Sequence, residues 1–311
     1  MRYDSDMSIV FLSTVRDPIP WRAALQKRFP HLDFHLPNEV VDPDDIRYAL
    51  VWAYPSGSLK PYRNLKLIQT LGAGVDQILN DPDRPSDVPV ARLEDAGLAT
   101  QMAQYVAHYV LRHHRQFADI ESQSEWSNWD PAQYRGRVGI LGAGILGGAC
   151  AKSLVALGYT VSCWRNRLIE MEQVQVFTGA DGLNNMLQQT DILVCLLPLT
   201  EKTNQILSAQ NLSQMPRGSV LINVGRGAHL DEGGLIPLLD SGQLHHAVLD
   251  VFGTEPLPPE HPFWSHSKIT VTPHISALTV AEYAEGQVLQ NINRCENGLS
   301  PLHLVSPERG Y

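Results

Sequence analysis

The sequence predicts an α/β protein built from two parallel-sheet domains, and three observations carry that reading. Short apolar runs alternate with helix-like segments in two separate series. Between the series, near residues 100–118, the hydrophobic period changes from strand to helix. The length of 311 residues suits two domains at roughly 100–200 residues each. A hydrophobic fraction of 43% against 18% charged residues supports a buried core and excludes a disordered or fibrous chain.

The first series has strand candidates at 8–12, 32–36, 48–52, 65–70 and 89–93, with a helix over 21–29. Met102, Val106, Tyr109 and Val110 then fall at i, i+4, i+7 and i+8, one face of a helix over 100–118 that leads out of the first domain. A polar stretch at 121–130 follows. The second series has strands at 137–141, 159–164, 192–196, 219–223, 246–251 and 268–272. The segment 280–293 is again helical in pattern, and 255–259 is a Pro-rich turn.

Several function classes are disfavoured at once. The net charge is −9, from 24 Lys and Arg against 33 Asp and Glu, with no long basic run, so a nucleic-acid partner is not expected. Apolar runs such as 192–197 fall far short of the ~20 residues a spanning helix needs. The opening MRYDSDMS has neither a basic nor an apolar leader region, so a cytoplasmic protein without a membrane partner is expected. Cys150, Cys163, Cys195 and Cys295 lie far apart without zinc spacing, so no metal is expected, and Cys195 in an apolar run and Cys163 beside Trp164 predict buried thiols in a reducing compartment.

The glycines carry the first chemical signal. Gly142, Gly144 and Gly147 follow the 137–141 strand and open a helix predicted over 148–157, the context that gives a GxGxxG weight. Gly142 allows a tight turn, Gly144 lets backbone approach a pyrophosphate, and Gly147 permits close helix–sheet packing. The helix N-terminus then offers free N–H groups to an anion, with Ile145 and Leu146 in the same turn. An NAD-selective site usually places a carboxylate about 20 residues on, for the ribose 2′-hydroxyl. Here the next strand ends in Arg165, Asn166 and Arg167, with no carboxylate before Glu170. Guanidinium groups suit a 2′-phosphate, so NADP(H) is the expected cofactor and NAD(H) the other candidate. A second cluster, Gly72 to Asp76, has Gln77 where a third glycine would stand, and suits a turn whose amides hold a small anion.

Twelve histidines offer many candidates. His31 and His35 alternate with Leu32, Phe34 and Leu36, an outward strand face. The pairs at 113–114 and 245–246 have no acidic companions at ligand spacing and are expected on the surface or in ordinary packing. His274 is different, because it ends a strand of the second series, and ligands bind beyond the carboxyl ends of strands in open α/β sheets. Arg226 and Glu255 occupy similar positions after the 219–223 and 246–251 strands. Trp52, Tyr54 and Trp264 are candidates for pocket walls and equally for core positions.

With these residues in place, the chain resembles the D-isomer-specific 2-hydroxyacid dehydrogenase family, in particular its glyoxylate/hydroxypyruvate reductase A branch. The matching stretches are LGAGVD (71–76), RLEDAG (92–97), GILGAGILG (139–147), LLPLT (196–200), VGRG (224–227), LDVFGTEPLPPE (249–260), VTPHIS (271–276) and the terminal Arg309, Gly310 and Tyr311. The resemblance implies a Rossmann nucleotide-binding domain over 100–277, inserted in a flavodoxin-like α/β substrate domain made of 1–99 and 278–311. It implies reduction of a small 2-oxo acid, glyoxylate or hydroxypyruvate, with NADPH. Arg226 would clamp the substrate carboxylate, His274 would protonate the carbonyl oxygen, and Glu255 would orient the imidazole. Main-chain amides of Gly74 and Val75, beside Trp52, would hold the substrate. Asp250 would bond the nicotinamide carboxamide, with Leu197, Pro198, Thr203, Val224, Gly225 and Ser276 also along the cofactor.

The resemblance further implies a homodimer through the 100–118 helix. Gly225 stands where alanine usually precedes the family's arginine, a change expected to loosen that turn while keeping the clamp. Met102, Ala103 and Gln104 stand where Val-Ala-Glu commonly opens the helix. Two alternatives stay open at this level: another D-2-hydroxyacid dehydrogenase, of phosphoglycerate or broad 2-oxo acid type, and a dinucleotide-sensing interaction protein of the co-repressor type.

Overall fold

A computed structural model describes residues 7–126, 136–306, 308 and 310. Arg309 and Tyr311 of the terminal motif, residues 1–6 of the leader reading and the end of the 121–130 stretch lie outside the described residues. The chain divides into two units, Met1–Gly97 with Leu278–Tyr311, and Leu98–Ala277.

The first unit contains β1 (Ser8–Ser13), α1 (Pro18–Arg28), β2 (Asp33–His35), β3 (Tyr48–Trp52), β4 (Leu67–Thr70), α2 (Asp76–Asn80), β5 (Val90–Ala91) and α9 (Ala281–Glu296), numbered in chain order. Its five strands are all parallel, in the order β2-β1-β3-β4-β5. Local chemistry starts α1 where it does: the Asp17 carboxylate accepts the Ile19 N–H, and Pro18 opens the first turn. Period-two alternation then serves both faces of the sheet. Ile9, Phe11, Tyr48 and Leu50 pack with Trp21 and Leu25 of α1 and Ala284, Val288 and Ile292 of α9. Val10, Leu12, Ala49 and Val51 pack on the other face with Leu59 and Ile78. The C-terminal segment is bonded in, since Leu304 bridges Ala91 antiparallel and buried Asn291 donates to Gln69 at 2.9 Å.

The second unit runs α3 (Leu98–His114), α4 (Phe117–Glu121), β6 (Arg137–Leu141), α5 (Ile145–Ala156), β7 (Thr160–Trp164), β8 (Val174–Phe177), α6 (Gly179–Leu187), β9 (Ile192–Cys195), α7 (Ala209–Leu212), β10 (Ser219–Asn223), α8 (Glu232–Asp240), β11 (Leu244–Leu249) and β12 (Ile269–Val271). All seven strands are parallel, in the order β12-β11-β10-β9-β6-β7-β8. Every residue of β9 and β10 is buried, as expected of central parallel strands covered on both faces. Strand order reverses between β6 and β9, the switch point at which such sheets open a crevice for ligands.

The face of α3 read from sequence is spent inside this unit. Met102, Val106 and Val110 are buried in one cluster with Cys150, Ala151 and Leu154 of α5. Cys150, Cys163 and Cys195 are free and buried, and burial pushes each thiol up to about 12, so they stay protonated. Among the described residues, no helix is long and apolar enough to cross a membrane.

Candidate active site

At the switch point, the three glycines after β6 are needed for different reasons. Gly142 has φ +98°, and a side chain there would come within 2.7 Å of the Leu196 carbonyl oxygen. A side chain at Gly147 would lie 1.9 Å from the Gly142 carbonyl oxygen, so the first turn of α5 packs directly on the loop. Gly144 is constrained by neither effect. Its φ is −80°, and a Cβ built on it meets no protein atom within 4 Å. A bare backbone that packing does not require, at the N-terminus of a twelve-residue helix, fits the close approach of a pyrophosphate.

Arg165, after β7, reaches back to this loop, its Nη1 donating to the Ala143 carbonyl at 3.1 Å. Asn166 and Arg167 are exposed beside it. Across the switch point, Leu197 is 8% exposed and the Thr203 hydroxyl donates to the Pro198 carbonyl at 2.7 Å, which closes the loop after β9. These groups fit a dinucleotide with an extra phosphate on its ribose.

Three further side chains come from the carboxyl ends of β10, β11 and β12, which are neighbours in the sheet. His274 Nδ1 lies 2.7 Å from Glu255 Oε2. Glu255 Oε1 accepts the Phe252 N–H at 2.9 Å, so both carboxylate oxygens are engaged and the ring is held from one side. Burial pushes the Glu255 carboxyl up, but the hydrogen bonds from His274 and Phe252 and the charges of His274 and Arg226 outweigh it and leave it below the usual carboxylate range. Arg226 sits on the turn after β10, with Nη1 donating to the Gly225 carbonyl at 2.8 Å. That turn rests on the segment between β11 and Glu255: a Cβ on Gly227 would fall 1.8 Å from the Phe252 carbonyl carbon. Only glycine permits the approach.

His274 holds an unusual backbone conformation, φ +54°, in the left-handed region that a non-glycine residue adopts at a cost. Asp250 holds it there. The Asp250 carbonyl accepts the His274 N–H at 2.9 Å. Its carboxylate, on a residue 0% exposed, accepts the Ile275 N–H at 2.9 Å, the Ser276 N–H at 2.8 Å and the Thr272 hydroxyl at 2.5 Å. Thr272 is in turn 2.6 Å from the Tyr105 hydroxyl of α3.

Gly74, Val75 and Trp52 belong to the first unit. Val75 is buried at the start of α2, and Gly72 packs under Trp52, where a Cβ would lie 2.4 Å from the indole. Tyr54 is not a pocket wall. It is 4% exposed in the core, its hydroxyl bonded to Asp81 at 3.1 Å. Trp264 is 51% exposed, with its indole N–H on the Pro258 carbonyl. The histidine pairs lie on the surface or in packing contacts, as expected. His113 of α3 stacks on His246 of β11 with ring centroids 4.5 Å apart, and burial first, then the neighbouring histidines and Arg112, hold the His113 imidazole down to about 3. Two residues beside Arg226, Asn223 and His229, are both 0% exposed, and no sequence signal singled them out.

Comparison with known proteins agrees over nearly the whole chain. The family model for the NAD-binding domain of D-isomer-specific 2-hydroxyacid dehydrogenases matches residues 107–276. Proteins named glyoxylate/hydroxypyruvate reductase A from Yersinia enterocolitica and Serratia proteamaculans are 40% and 41% identical, over 98% of this chain and 100% of each relative. A D-isomer-specific 2-hydroxyacid dehydrogenase from Xanthobacter autotrophicus, solved with NADPH and MES, superposes with a TM-score of 0.91 at 39% identity, covering 98% of this chain and 100% of that one. An NADPH-dependent glyoxylate/hydroxypyruvate reductase from Sinorhizobium meliloti, solved with NADP and sulfate, gives 0.88 at 34% identity, covering 98% and 99%.

Proposed function

The chain belongs to the D-isomer-specific 2-hydroxyacid dehydrogenase family, and from that premise we propose that it reduces glyoxylate and hydroxypyruvate to their 2-hydroxy acids with NADPH. The observation that carries this reading is the 2.7 Å His274–Glu255 pair beside Arg226, at the ends of three adjacent strands. A planar guanidinium on a turn held by glycines takes a substrate carboxylate bidentately. His274 spends Nδ1 on Glu255, so its Nε2–H is the proton offered to the carbonyl oxygen. Glu255, ionised through the working pH range, orients the ring and balances its charge while the proton is present. After transfer the imidazole is neutral, and solvent reprotonates it for the next turnover.

When bound, the reduced nicotinamide supplies the hydride that the substrate carbon accepts. The Gly142–Gly147 loop and the start of α5, with Ile145 and Leu146, take the pyrophosphate. Arg165, Asn166 and Arg167 take the 2′-phosphate. Leu197, Pro198, Thr203, Val224, Gly225, Asp250 and Ser276 line the remainder. In the first unit, the amides of Gly74 and Val75 and the Trp52 ring are assigned to substrate.

The test is the rate of NADPH absorbance loss across a panel of 2-oxo acids. Turnover of glyoxylate and hydroxypyruvate, with higher kcat/KM for NADPH than for NADH, is the expected result. Tight NADPH binding with no turnover of any 2-oxo acid would overturn the reading. A homodimer through the 100–118 region is part of the same proposal, and light scattering of the eluted protein tests it.

A further inference from the structure

Asn223 and His229 are fully buried polar side chains with no part in the chemistry above, and they grip Arg226 by its main chain from opposite ends. Asn223 Nδ2 donates to the Arg226 carbonyl at 3.0 Å, while its Oδ1 accepts the Gly225 N–H at 3.2 Å. His229 Nδ1 accepts the Arg226 N–H at 3.0 Å. An imidazole nitrogen that accepts carries no proton, so the ring proton is on Nε2. Nε2 lies 3.4 Å from the Pro198 carbonyl, the same oxygen that takes the Thr203 hydroxyl.

One neutral imidazole therefore spans the turn that carries Arg226 and the loop after β9. The main chain of His229 is itself fixed, its N–H donating to the Arg226 carbonyl at 3.2 Å and its carbonyl accepting the Leu207 N–H at 2.8 Å. Gly225 makes room for the ring, because a Cβ there would fall 2.9 Å from Nδ1 and 3.0 Å from Cε1. The glycine does not loosen the turn, as its place in the sequence suggests. The volume a side chain would take is filled by the ring. An apolar residue could fill the same space but would remove the acceptor of the Arg226 N–H, so the ring does more than pack.

We propose that His229 is a positioning residue that sets the Arg226 guanidinium for a carboxylate and couples that clamp to the 197–203 loop. The inference rests on the reading of Arg226 as the carboxylate clamp and of 197–203 as a cofactor loop. The two ring nitrogens separate the two roles. Asparagine places an oxygen near Nδ1 and keeps the acceptor for Arg226; glutamine places an amide N–H near Nε2 and keeps the donor to Pro198.

The experiment compares wild type, His229→Asn, His229→Gln and Arg226→Lys. It measures NADPH affinity by protein fluorescence, affinity of the NADPH complex for oxamate (a carboxylate that is not reduced), glyoxylate kcat and KM, and the urea midpoint. His229→Gln should weaken oxamate and raise glyoxylate KM by about 5–10-fold, the effect of one backbone hydrogen bond, with NADPH affinity within about twofold. His229→Asn should weaken NADPH by about 3–5-fold and spare oxamate. If both variants weaken both ligands alike, in step with the urea midpoint, or if neither changes either ligand while Arg226→Lys weakens oxamate, the role given to His229 is overturned. If Arg226→Lys leaves oxamate affinity unchanged, the clamp reading itself fails and takes this inference with it.

Discussion

Replacing Asp250 by asparagine changes one atom of the carboxylate, and the structure sets what that costs. Oδ1 accepts from Ile275 N–H and Thr272 Oγ1, and Oδ2 accepts from Ser276 N–H, on a residue with no exposure. An asparagine oxygen can replace one of these atoms, but its NH2 must then face an N–H or O–H donor. With the oxygen at the Oδ1 position, a charge-assisted bond to Ser276 worth ~1.5–3 kcal/mol is lost, and a buried N–H left unpaired costs a further ~1–3 kcal/mol. The expected destabilisation is about 3–5 kcal/mol, which at a urea slope of roughly 2–3 kcal/mol/M lowers the midpoint by about 1–2 M. These bonds also hold His274 at φ +54°, a conformation that otherwise costs ~1–2 kcal/mol. Freed of them, the turn relaxes, the 2.7 Å contact with Glu255 is lost, and kcat falls at least about tenfold. Urea titration by circular dichroism and steady-state kinetics on the same samples make the check. An unchanged midpoint together with an unchanged kcat would refute the reasoning.

Other consequences are equally direct. Gly144→Ala should leave the urea midpoint nearly unchanged, since the Cβ meets no protein atom, yet weaken NADPH at least about tenfold; Gly147→Ala, with a Cβ 1.9 Å from a carbonyl oxygen, should lower both. Equal effects of the two variants on stability would contradict the geometry. Replacing both Arg165 and Arg167 by alanine should cut the NADPH-over-NADH preference in kcat/KM by about 10–100-fold, the worth of one or two charge-assisted bonds. A preference that survives would assign the 2′-phosphate elsewhere. His113 titrates near 3 when folded against an ordinary 6.5, so the unfolded chain binds the extra proton between those values and stability falls as pH falls from 6.5 toward 3. His113→Leu should flatten the urea midpoint between pH 6.5 and 4.5 relative to wild type, and an unaltered slope would refute the assignment.

What the sequence made legible follows burial. The strands Tyr48–Trp52, Arg137–Leu141 and Ser219–Asn223 are built around short apolar runs, and they occur where the pattern puts them. The strand Val174–Phe177 escaped, because it lies at a sheet edge, half exposed, with Gln175 outward, and has no strong period. The expected 246–251 strand ends at Leu249 instead, because Asp250 turns its carboxylate to the backbone of 275–276. The helix after the glycine loop begins at Ile145, before the predicted 148, since the packing of Gly147 against Gly142 overrides glycine's weak helix propensity. Arg226, Glu255 and His274 could be picked out one at a time, each just past a strand end. The His274–Glu255 contact and the Gly227 approach to Phe252 arise only when β10, β11 and β12 lie side by side, and the His229 bridge to Pro198 only when β9 lies beside β10. The stacking of His113 on His246 is likewise a tertiary pairing with no local spacing to announce it.

The central claim is that His274, held by Glu255, delivers the proton to a substrate carbonyl beside the cofactor. The most direct measurement is His274→Ala assayed for hydroxypyruvate and glyoxylate reduction, with NADPH affinity measured on the same protein by fluorescence. Turnover should fall by about 10²–10⁴-fold, the usual worth of a positioned general acid, while NADPH affinity stays within about twofold of wild type. Turnover that persists, or a loss of cofactor affinity as large as the loss of turnover, would contradict the account and return His274 to a structural role.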